Sequence, residues 1–199
     1  SHGLSLLQLL GLLDEVAHDD EHAARAALDV IGQQARFCVI ACRQAGIENV
    51  VAPLGTSLTQ EQCQILKRYA GQVTVLFDMD RAGEAAGMRG AELLLEFGFF
   101  PMMASLPGAK DADEYLKKHP KEDFEDVLKK KVALTDFKIE AVMREKAGFP
   151  PEVQRVAAAK AALPLLLKAK DEITRSEMLR GISAKTGITI ESLTAEWRK

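Results

Sequence analysis

Two aspartates stand together where a strongly apolar segment ends. Asp78 and Asp80 flank Met79 directly after residues 72–77, which are rich in β-branched and apolar side chains and predict a buried strand. Alternate residues of an extended chain point to the same side, so both carboxylates can approach one hard cation. An isolated Asp-x-Asp pair is also typical of a solvated turn or a helix N-cap. The pair therefore predicts a divalent-metal site, with the cap as its structural alternative.

A second acidic pair strengthens the metal interpretation. Asp111 and Asp113 follow another apolar segment, residues 100–106, with Lys110 just before them. Four carboxylates that converge can hold two divalent ions, and two ions bridging phosphate oxygens activate a hydroxyl and stabilise charge at phosphorus. The two pairs together predict phosphoryl-transfer chemistry.

Alternating strands and helices must bring these acids together. Strands are predicted at residues 49–54, 72–77 and 100–106, and helices after Thr59 and over residues 85–97. Strands that alternate with helices form a parallel sheet covered on both faces, and ligands bind beyond its carboxyl edge. The acidic turns are expected at that edge.

The flanking parts of the chain are predicted to be helical. Apolar residues at three- and four-residue steps predict one long helix over residues 19–45, ended by Gly46. Beyond Pro107 no further strand is expected, and the last part predicts a helical bundle. Its helices are expected at residues 152–168, 172–186 and 190–197.

Three segments carry a resemblance to a known family. Residues 51–59 (VAPLGTSLT), 77–83 (FDMDRAG) and 106–114 (LPGAKDADE) resemble three consecutive TOPRIM-region motifs of bacterial replicative, DnaG-type primases. The resemblance implies an α/β fold with a TOPRIM-like parallel sheet flanked by helices, followed by a C-terminal helical bundle. The implied domains are an N-terminal helical segment (1–38), a TOPRIM-like domain (39–125) and a C-terminal helical subdomain (126–199).

The same resemblance implies an activity and its requirements. The activity is DNA-templated synthesis of short RNA primers in replication, by nucleotidyl transfer with Mg²⁺ or Mn²⁺ as cofactor. The implied partners are a single-stranded DNA template and nucleoside triphosphates, and a replicative helicase for a full-length relative. Asp78 and Asp80 fall on the catalytic acids. The metal ligands would be Asp78, Asp80, Asp111 and Asp113, and the nucleotide or phosphate contacts Gly55, Thr56, Arg81 and Lys110.

The chain departs from the family at its first acidic motif. The family has a strand ending in Glu-Gly with an aspartate three residues later, whereas this sequence has Gln34 for the glutamate and Cys38 for the aspartate. An uncharged amide supplies neither a general base nor an anionic ligand. Helical periodicity before Gln34 also predicts that the strand is missing. The competing interpretation is a non-catalytic module that binds metal, nucleotide or a replication partner.

Composition limits the remaining possibilities. The net charge of −3 and the pI near 5.9 argue against binding nucleic acid through bulk positive charge. They also agree with the expected absence of the family's zinc-binding module and basic subdomain, and the final helices predict no separate helicase-binding domain. No apolar stretch is long enough for a membrane span, and residues 4–13 do not fit a signal peptide. Three cysteines at no zinc-site spacing predict thiols and a cytoplasmic setting.

Two weaker signals favour ordinary structural interpretations. His18 and His22 fit an H-x-x-E-H zinc-hydrolase pattern, but an acidic helix start with solvated histidines explains them as well. The lysine run at residues 129–131 can contact phosphates, yet the acids around it are typical of a solvated helix.

Overall fold

The structure, a computed structural model, describes residues 28–31, 35–53, 57–77 and 80–198. The chain forms two compact units, and the boundary between them in the sequence falls between Lys131 and Val132. The three-part division at residues 38 and 125 stays a prediction.

The first unit is built on parallel strands in the order β2-β1-β3-β4. They are β1 (Leu28–Ile31), β2 (Val50–Val51), β3 (Val73–Phe77) and β4 (Met102–Ser105). Every residue of β3 is buried, as a strand of a sheet covered on both faces requires. The predicted parallel sheet and its three strands are confirmed.

The prediction that β1 is missing was wrong. Residues 28–31 form a strand that pairs with both β2 and β3, for example through Asp29 with Val50 and Val30 with Val75. The helical spacing of apolar residues misled the prediction because backbone pairing at the centre of a sheet outweighs local periodicity. The helix predicted over residues 19–45 is therefore wrong for residues 28–31. Residues 19–27 lie outside the described part of the chain.

Helices follow the strands of the first unit. They are α1 (Ala35–Gln44), α2 (Gln60–Tyr69), α3 (Arg81–Glu96), α4 (Ala112–Lys118) and α5 (Lys121–Lys129). Helix α2 follows Thr59 as predicted, and Thr59 and Gln62 form a reciprocal capping box at its start. Gly46, with φ of +76°, ends the turn after α1, and its carbonyl accepts a hydrogen bond of 2.7 Å from Lys121 Nζ.

One hydrophobic core joins α1 to the segment that carries the second acidic pair. Phe124 and Cys42 are fully buried, and Tyr115 packs edge-on against Phe124 with ring centroids 6.1 Å apart. The core also includes Cys38, Ile47, Val50, Leu76, Ala104, Leu106, Ala109 and Ala112. It fixes the path of the chain from β4 into α4.

The second unit is helical after one short strand. It contains β5 (Val132–Ala133), α6 (Leu134–Glu145), α7 (Pro151–Ala162), a 3₁₀ helix (Leu163–Leu167), α8 (Glu172–Thr186) and α9 (Ile190–Trp197). The predicted helices at 172–186 and 190–197 are confirmed, and Gly187 ends α8 with φ of +70°. The expectation of no strand after Pro107 is corrected by β5, which is too short to show a pattern. Within the described ranges, no helix is long and apolar enough to span a bilayer.

Candidate metal centre

The two acidic segments leave the sheet at the same edge. β3 and β4 are neighbouring parallel strands, and their last residues, Phe77 and Ser105, stand opposite each other. The chain beyond each strand therefore enters the carboxyl edge of the sheet, where open α/β folds bind ligands. Asp80 and Asp111 both follow these strand ends.

Asp80 begins helix α3. Its Oδ1 accepts a hydrogen bond of 2.6 Å from the backbone N–H of Gly83, and its backbone is extended as an N-cap requires. The cap uses one carboxylate oxygen, and the side chain is exposed. Asp80 therefore combines a structural role with a second oxygen, Oδ2, that lies outside the cap.

A close contact sets α3 against the end of β3. A Cβ at Gly87 would lie 2.8 Å from Cβ and 3.0 Å from Cγ of Phe77. Only glycine lets the helix approach the strand this closely. The contact positions the start of α3, and with it Asp80, beside the end of β3.

Asp111 has the same capping role at α4. Its Oδ1 accepts a hydrogen bond of 2.8 Å from the N–H of Glu114, and Glu114 Oε2 accepts one of 2.9 Å from the N–H of Lys110. Asp111 is only 7% exposed, and the adjacent Ala112 packs into the core. The contacts hold the pKa of Glu114 below its usual value, first through the Lys110 N–H and then through Lys118.

The remaining acids of this segment are paired with lysines. Lys117 Nζ lies 2.5 Å from Asp113 Oδ2, and Lys118 Nζ lies 2.6 Å from Glu114 Oε1. The hydrogen bond from Lys117 to Asp113 is the main cause of a raised pKa at Lys117, to which the negative charges of Asp113, Asp111 and Glu114 add. Asp113 and Glu114 are thus neutralised within α4, whereas Asp111 serves as the helix cap.

The structure locates only some of the predicted site residues. Asp80, Arg81, Lys110, Asp111 and Asp113 are described, and the side chains of Arg81 and Lys110 are exposed. The predicted residues Gln34, Gly55, Thr56 and Asp78, and both His18 and His22, lie outside the described residues. Within the part of the chain that is described, no three His, Cys, Asp or Glu side chains form a metal-binding group. The four-carboxylate site stays a prediction that depends on Asp78.

The donor set suits the predicted ion. Carboxylate oxygens are the ligands that Mg²⁺ prefers, and Mn²⁺ accepts the same ligands. Asp80, exposed and with Oδ2 outside its cap, fits such an ion directly. Asp113 fits it only if its oxygen is released from Lys117.

Several structural contributors were not predicted from the sequence. Gly87, Glu114 and Lys117 were missed. A glycine inside a helical pattern signals a close approach, and Lys117 lies four residues after Asp113, the spacing of a helical ion pair. These signals were present but are common in sequences without a site.

The three cysteines are thiols, as predicted. Cys38, Cys42 and Cys63 are at most 1% exposed. Burial, with a smaller effect of the Glu96 charge, raises the pKa of Cys63 to about 12. Cys38, which is predicted to stand where the family has an aspartate, packs in the core of the first unit.

Each unit contains a match to a known family model. Residues 35–116 match a model described as Toprim-like. Residues 135–191 match a model described as the DnaB-helicase binding domain of primase. The second match corrects the expectation that the final helices carry no helicase-binding region. That expectation failed because an amphipathic bundle has no short motif that identifies it.

Individual relatives agree with both matches. A DNA primase from Clostridium acetobutylicum is 34% identical over 154 residues, which are 77% of this chain and 26% of the relative. The catalytic core of Escherichia coli primase superimposes with a TM-score of 0.71 at 30% identity, covering 89% of this chain and 56% of that one. A DnaG primase catalytic domain bound to single-stranded DNA superimposes with a TM-score of 0.73 at 28% identity. The match covers 89% of this chain and 56% of that one.

The length of the match matters for interpretation. The chain spans about a quarter of the curated relatives it matches, 26% in the first two. Both family models, the sequence relatives and the solved catalytic cores point to one group of proteins. The chain belongs to the bacterial DnaG-type primase family and corresponds to its TOPRIM region together with the C-terminal part of the RNA polymerase core.

Proposed function

We propose that this chain supplies the metal- and nucleotide-binding part of DNA-templated RNA primer synthesis. Its substrates would be nucleoside triphosphates and a single-stranded DNA template, in the cytoplasmic setting that buried thiols favour. One observation carries the proposal: two aspartates follow neighbouring parallel strands whose ends are in register, Phe77 with Ser105. That edge is where an α/β sheet binds phosphate-bearing ligands.

Each residue has a specific proposed role. Asp78 and Asp80, with Asp111 and Asp113, would hold Mg²⁺ or Mn²⁺, which when bound neutralises phosphate charge and activates the attacking hydroxyl. Gly55 and Thr56, together with the exposed cations Arg81 and Lys110, would orient the triphosphate. The positions of Arg81 and Lys110, next to the capping residues Asp80 and Asp111, support these two roles.

Gln34 limits the proposed activity. A carboxylate at this position would accept a proton or bind a cation with its full charge, whereas the glutamine amide does neither. We therefore expect metal binding to persist while primer synthesis is strongly reduced. Restoring the carboxylate with Gln34→Glu is the direct way to separate the two properties.

The test combines a binding and an activity measurement. Thermal unfolding is followed with and without Mn²⁺, beside a template-dependent primer-synthesis assay on the wild type and Gln34→Glu. Mn²⁺ should raise the midpoint of both proteins, because ligands that bind only the folded state stabilise it. Primer synthesis should be stronger in Gln34→Glu.

The outcomes distinguish the alternatives. Primers made equally well by the wild type would show that Gln34 is no handicap. A Mn²⁺ shift without primers from either protein would favour a non-catalytic module that binds metal or nucleotide. Absence of a Mn²⁺ shift in both proteins would refute the proposed site.

The second unit favours a further role, docking to a replicative helicase. Its match to the helicase-binding model is accompanied by exposed apolar side chains before and along α7: Phe149 is 54% exposed, Val153 46% and Val156 47%. Val153 and Val156 lie three residues apart on α7 and therefore share one helix face, and Phe149 lies just before the helix. Exposed apolar surface of this kind is typical of a protein interface.

Calorimetry can test helicase docking. The binding partner is the purified replicative helicase of a bacterial relative, titrated with the wild type and with Val153→Ser/Val156→Ser. We expect the double variant to bind more weakly. Ile40→Ser, which changes an equally exposed residue of the first unit (53%), should bind as the wild type does. Equal binding by all three proteins would exclude this surface.

A further inference from the structure

The acids after β4 already have positively charged neighbours within the chain. Lys117 and Lys118 lie one helical turn from Asp113 and Glu114, at 2.5 Å and 2.6 Å. Both lysine side chains are largely exposed, at 70% and 53%, so neither is confined by packing. Each lysine can leave its partner without disturbing the core.

Only one of these pairs involves a proposed metal ligand. Asp111 is buried, and its Oδ1 caps α4. The Asp113 side chain is 29% exposed, and its Oδ2 is the atom that contacts Lys117. Lys117 therefore puts a positive charge where the proposed site needs a cation.

A cation at Asp113 must compete with this ammonium. Lys117 also lies within electrostatic reach of Asp111 and Glu114, so one lysine partly neutralises the whole segment. Among the described residues no lysine or arginine forms an ion pair with Asp80, whose Oδ1 is held by a backbone N–H instead. The two acidic segments thus offer a divalent ion unequal electrostatic environments.

We propose that Lys117 is a built-in counter-cation that competes with the second divalent ion for Asp113, so that the chain binds two metal ions with unequal affinity. This proposal rests on the proposed metal site. The tighter ion would be held at the Asp80 carboxylate, and the weaker ion would bind only when Lys117 withdraws from Asp113. Lys117 thereby sets the metal concentration at which the site fills.

Electron paramagnetic resonance of free Mn²⁺ measures both affinities directly. The full chain is titrated as the wild type and as Lys117→Met, which removes the charge but keeps a long side chain of good helix propensity. An exposed ion pair changes an affinity by about two- to five-fold. We expect the weaker Mn²⁺ affinity to tighten by that factor and the tighter affinity to change less.

Two control variants make the test specific. Lys118→Met removes the same charge one residue away, from a pair with Glu114, which is not a proposed ligand. Lys117→Arg keeps the charge. Both should retain the weak wild-type affinity if pairing with Asp113 is the cause. Circular dichroism checks that all the variants fold.

Each other outcome overturns the proposal. Equal tightening in Lys117→Met and Lys118→Met would show an effect of net charge alone. An unchanged weak affinity in Lys117→Met, with Mn²⁺ bound normally, would refute competition by Lys117 but leave the proposed function standing. Absence of Mn²⁺ binding in the wild type would refute both.

Discussion

The Cα of Gly87 on α3 faces the side chain of Phe77 at the end of β3 so closely that a methyl group would meet Phe77 Cβ at 2.8 Å. Cβ is attached to the backbone of a central, fully buried strand, so it cannot move aside as the end of a flexible side chain would. The start of α3 and the end of β3 are therefore joined as a rigid corner.

Substitution at Gly87 should destabilise the first unit. Alanine normally stabilises a helix interior by about 0.5–1 kcal/mol relative to glycine, but overpacking costs about 1–3 kcal/mol. We expect Gly87→Ala to lower the free energy of unfolding by about 1–2 kcal/mol, measured by urea denaturation.

Gly90 provides the matched control on the same helix. A Cβ there would lie 4.0 Å from Leu58 Cβ, an ordinary contact. Gly90→Ala should therefore stabilise the protein by about 0.5–1 kcal/mol. If Gly87→Ala and Gly90→Ala changed the free energy of unfolding in the same direction, the proposed role of the Phe77 contact would be contradicted.

Asp80→Asn should separate the cap from the proposed metal ligand. Asparagine caps helices as well as aspartate does, so stability without metal should change little. The increase in unfolding temperature produced by Mn²⁺ should become smaller, because a charged ligand is lost.

The control for Asp80→Asn is another aspartate cap. Asp171 caps α8 through a hydrogen bond of 2.8 Å from the N–H of Thr174, and it is not a proposed ligand. Asp171→Asn should leave the Mn²⁺ effect unchanged. A reduced effect in this variant, or a full effect in Asp80→Asn, would place the ion elsewhere.

Cys63 should resist alkylation in the folded protein. Its side chain is fully buried and burial raises its pKa from 9.0 to about 12, so the reactive thiolate is scarce at pH 8. Mass spectrometry after iodoacetamide treatment should find Cys63 modified only when urea is present. Rapid native modification would show that this core opens locally.

The raised pKa of Cys63 also makes the stability of the protein depend on pH. The unfolded chain releases the thiol proton near pH 9, whereas the folded chain holds it until about pH 12. The contribution of Cys63 is full below pH 9 and is lost as the pH rises towards 12. Stability of Cys63→Ala, although lower overall, should fall less steeply over this range.

Asp136 should destabilise the second unit near neutral pH. Its Oδ1 is buried and, within the described residues, has no hydrogen-bond partner. Burial raises its pKa above 3.8, an effect that the Lys185 charge opposes and the Glu140 charge reinforces. The favourable contribution of Asp136 is present below pH 3.8 and is lost as the pH rises through the folded-state pKa.

Replacing the Asp136 carboxyl group tests whether its charge destabilises the protein near neutral pH. Asp136→Asn should raise the unfolding temperature at pH 7, and the gain over the wild type should shrink as the pH approaches 4. Glu140→Gln should instead lower it slightly, because Glu140 accepts a hydrogen bond of 2.6 Å from Lys185. Equal stability of Asp136→Asn and the wild type at pH 7 would refute the burial argument.

Local signals predicted those elements whose ends are determined by nearby residues. Helix α8 begins at a capping aspartate and ends at Gly187, and β3 is an uninterrupted β-branched and apolar run, so both were predicted correctly. β1 was missed because its conformation depends on pairing with Val50 and residues 73–76, which are distant in the chain. Periodicity reports only the neighbours along the sequence.

The candidate site was predictable to a similar degree. Spacing and position identified Asp80 and Asp111 at one edge, but left open whether they cap helices or bind metal. The structure shows the caps, and the metal remains a prediction. Lys117 was missed because ion pairs of this spacing occur on most helix surfaces without functional consequence.

The two capping aspartates also affect how ancestry is inferred from related sequences. Asp80 and Asp111 each start a helix, so selection for folding alone can preserve them after catalysis is lost. A degenerate descendant would still display most of an intact polymerase signature. If Gln34 limits activity as proposed, genome surveys that count active primases should weigh the residue at this position more heavily than the surviving aspartates.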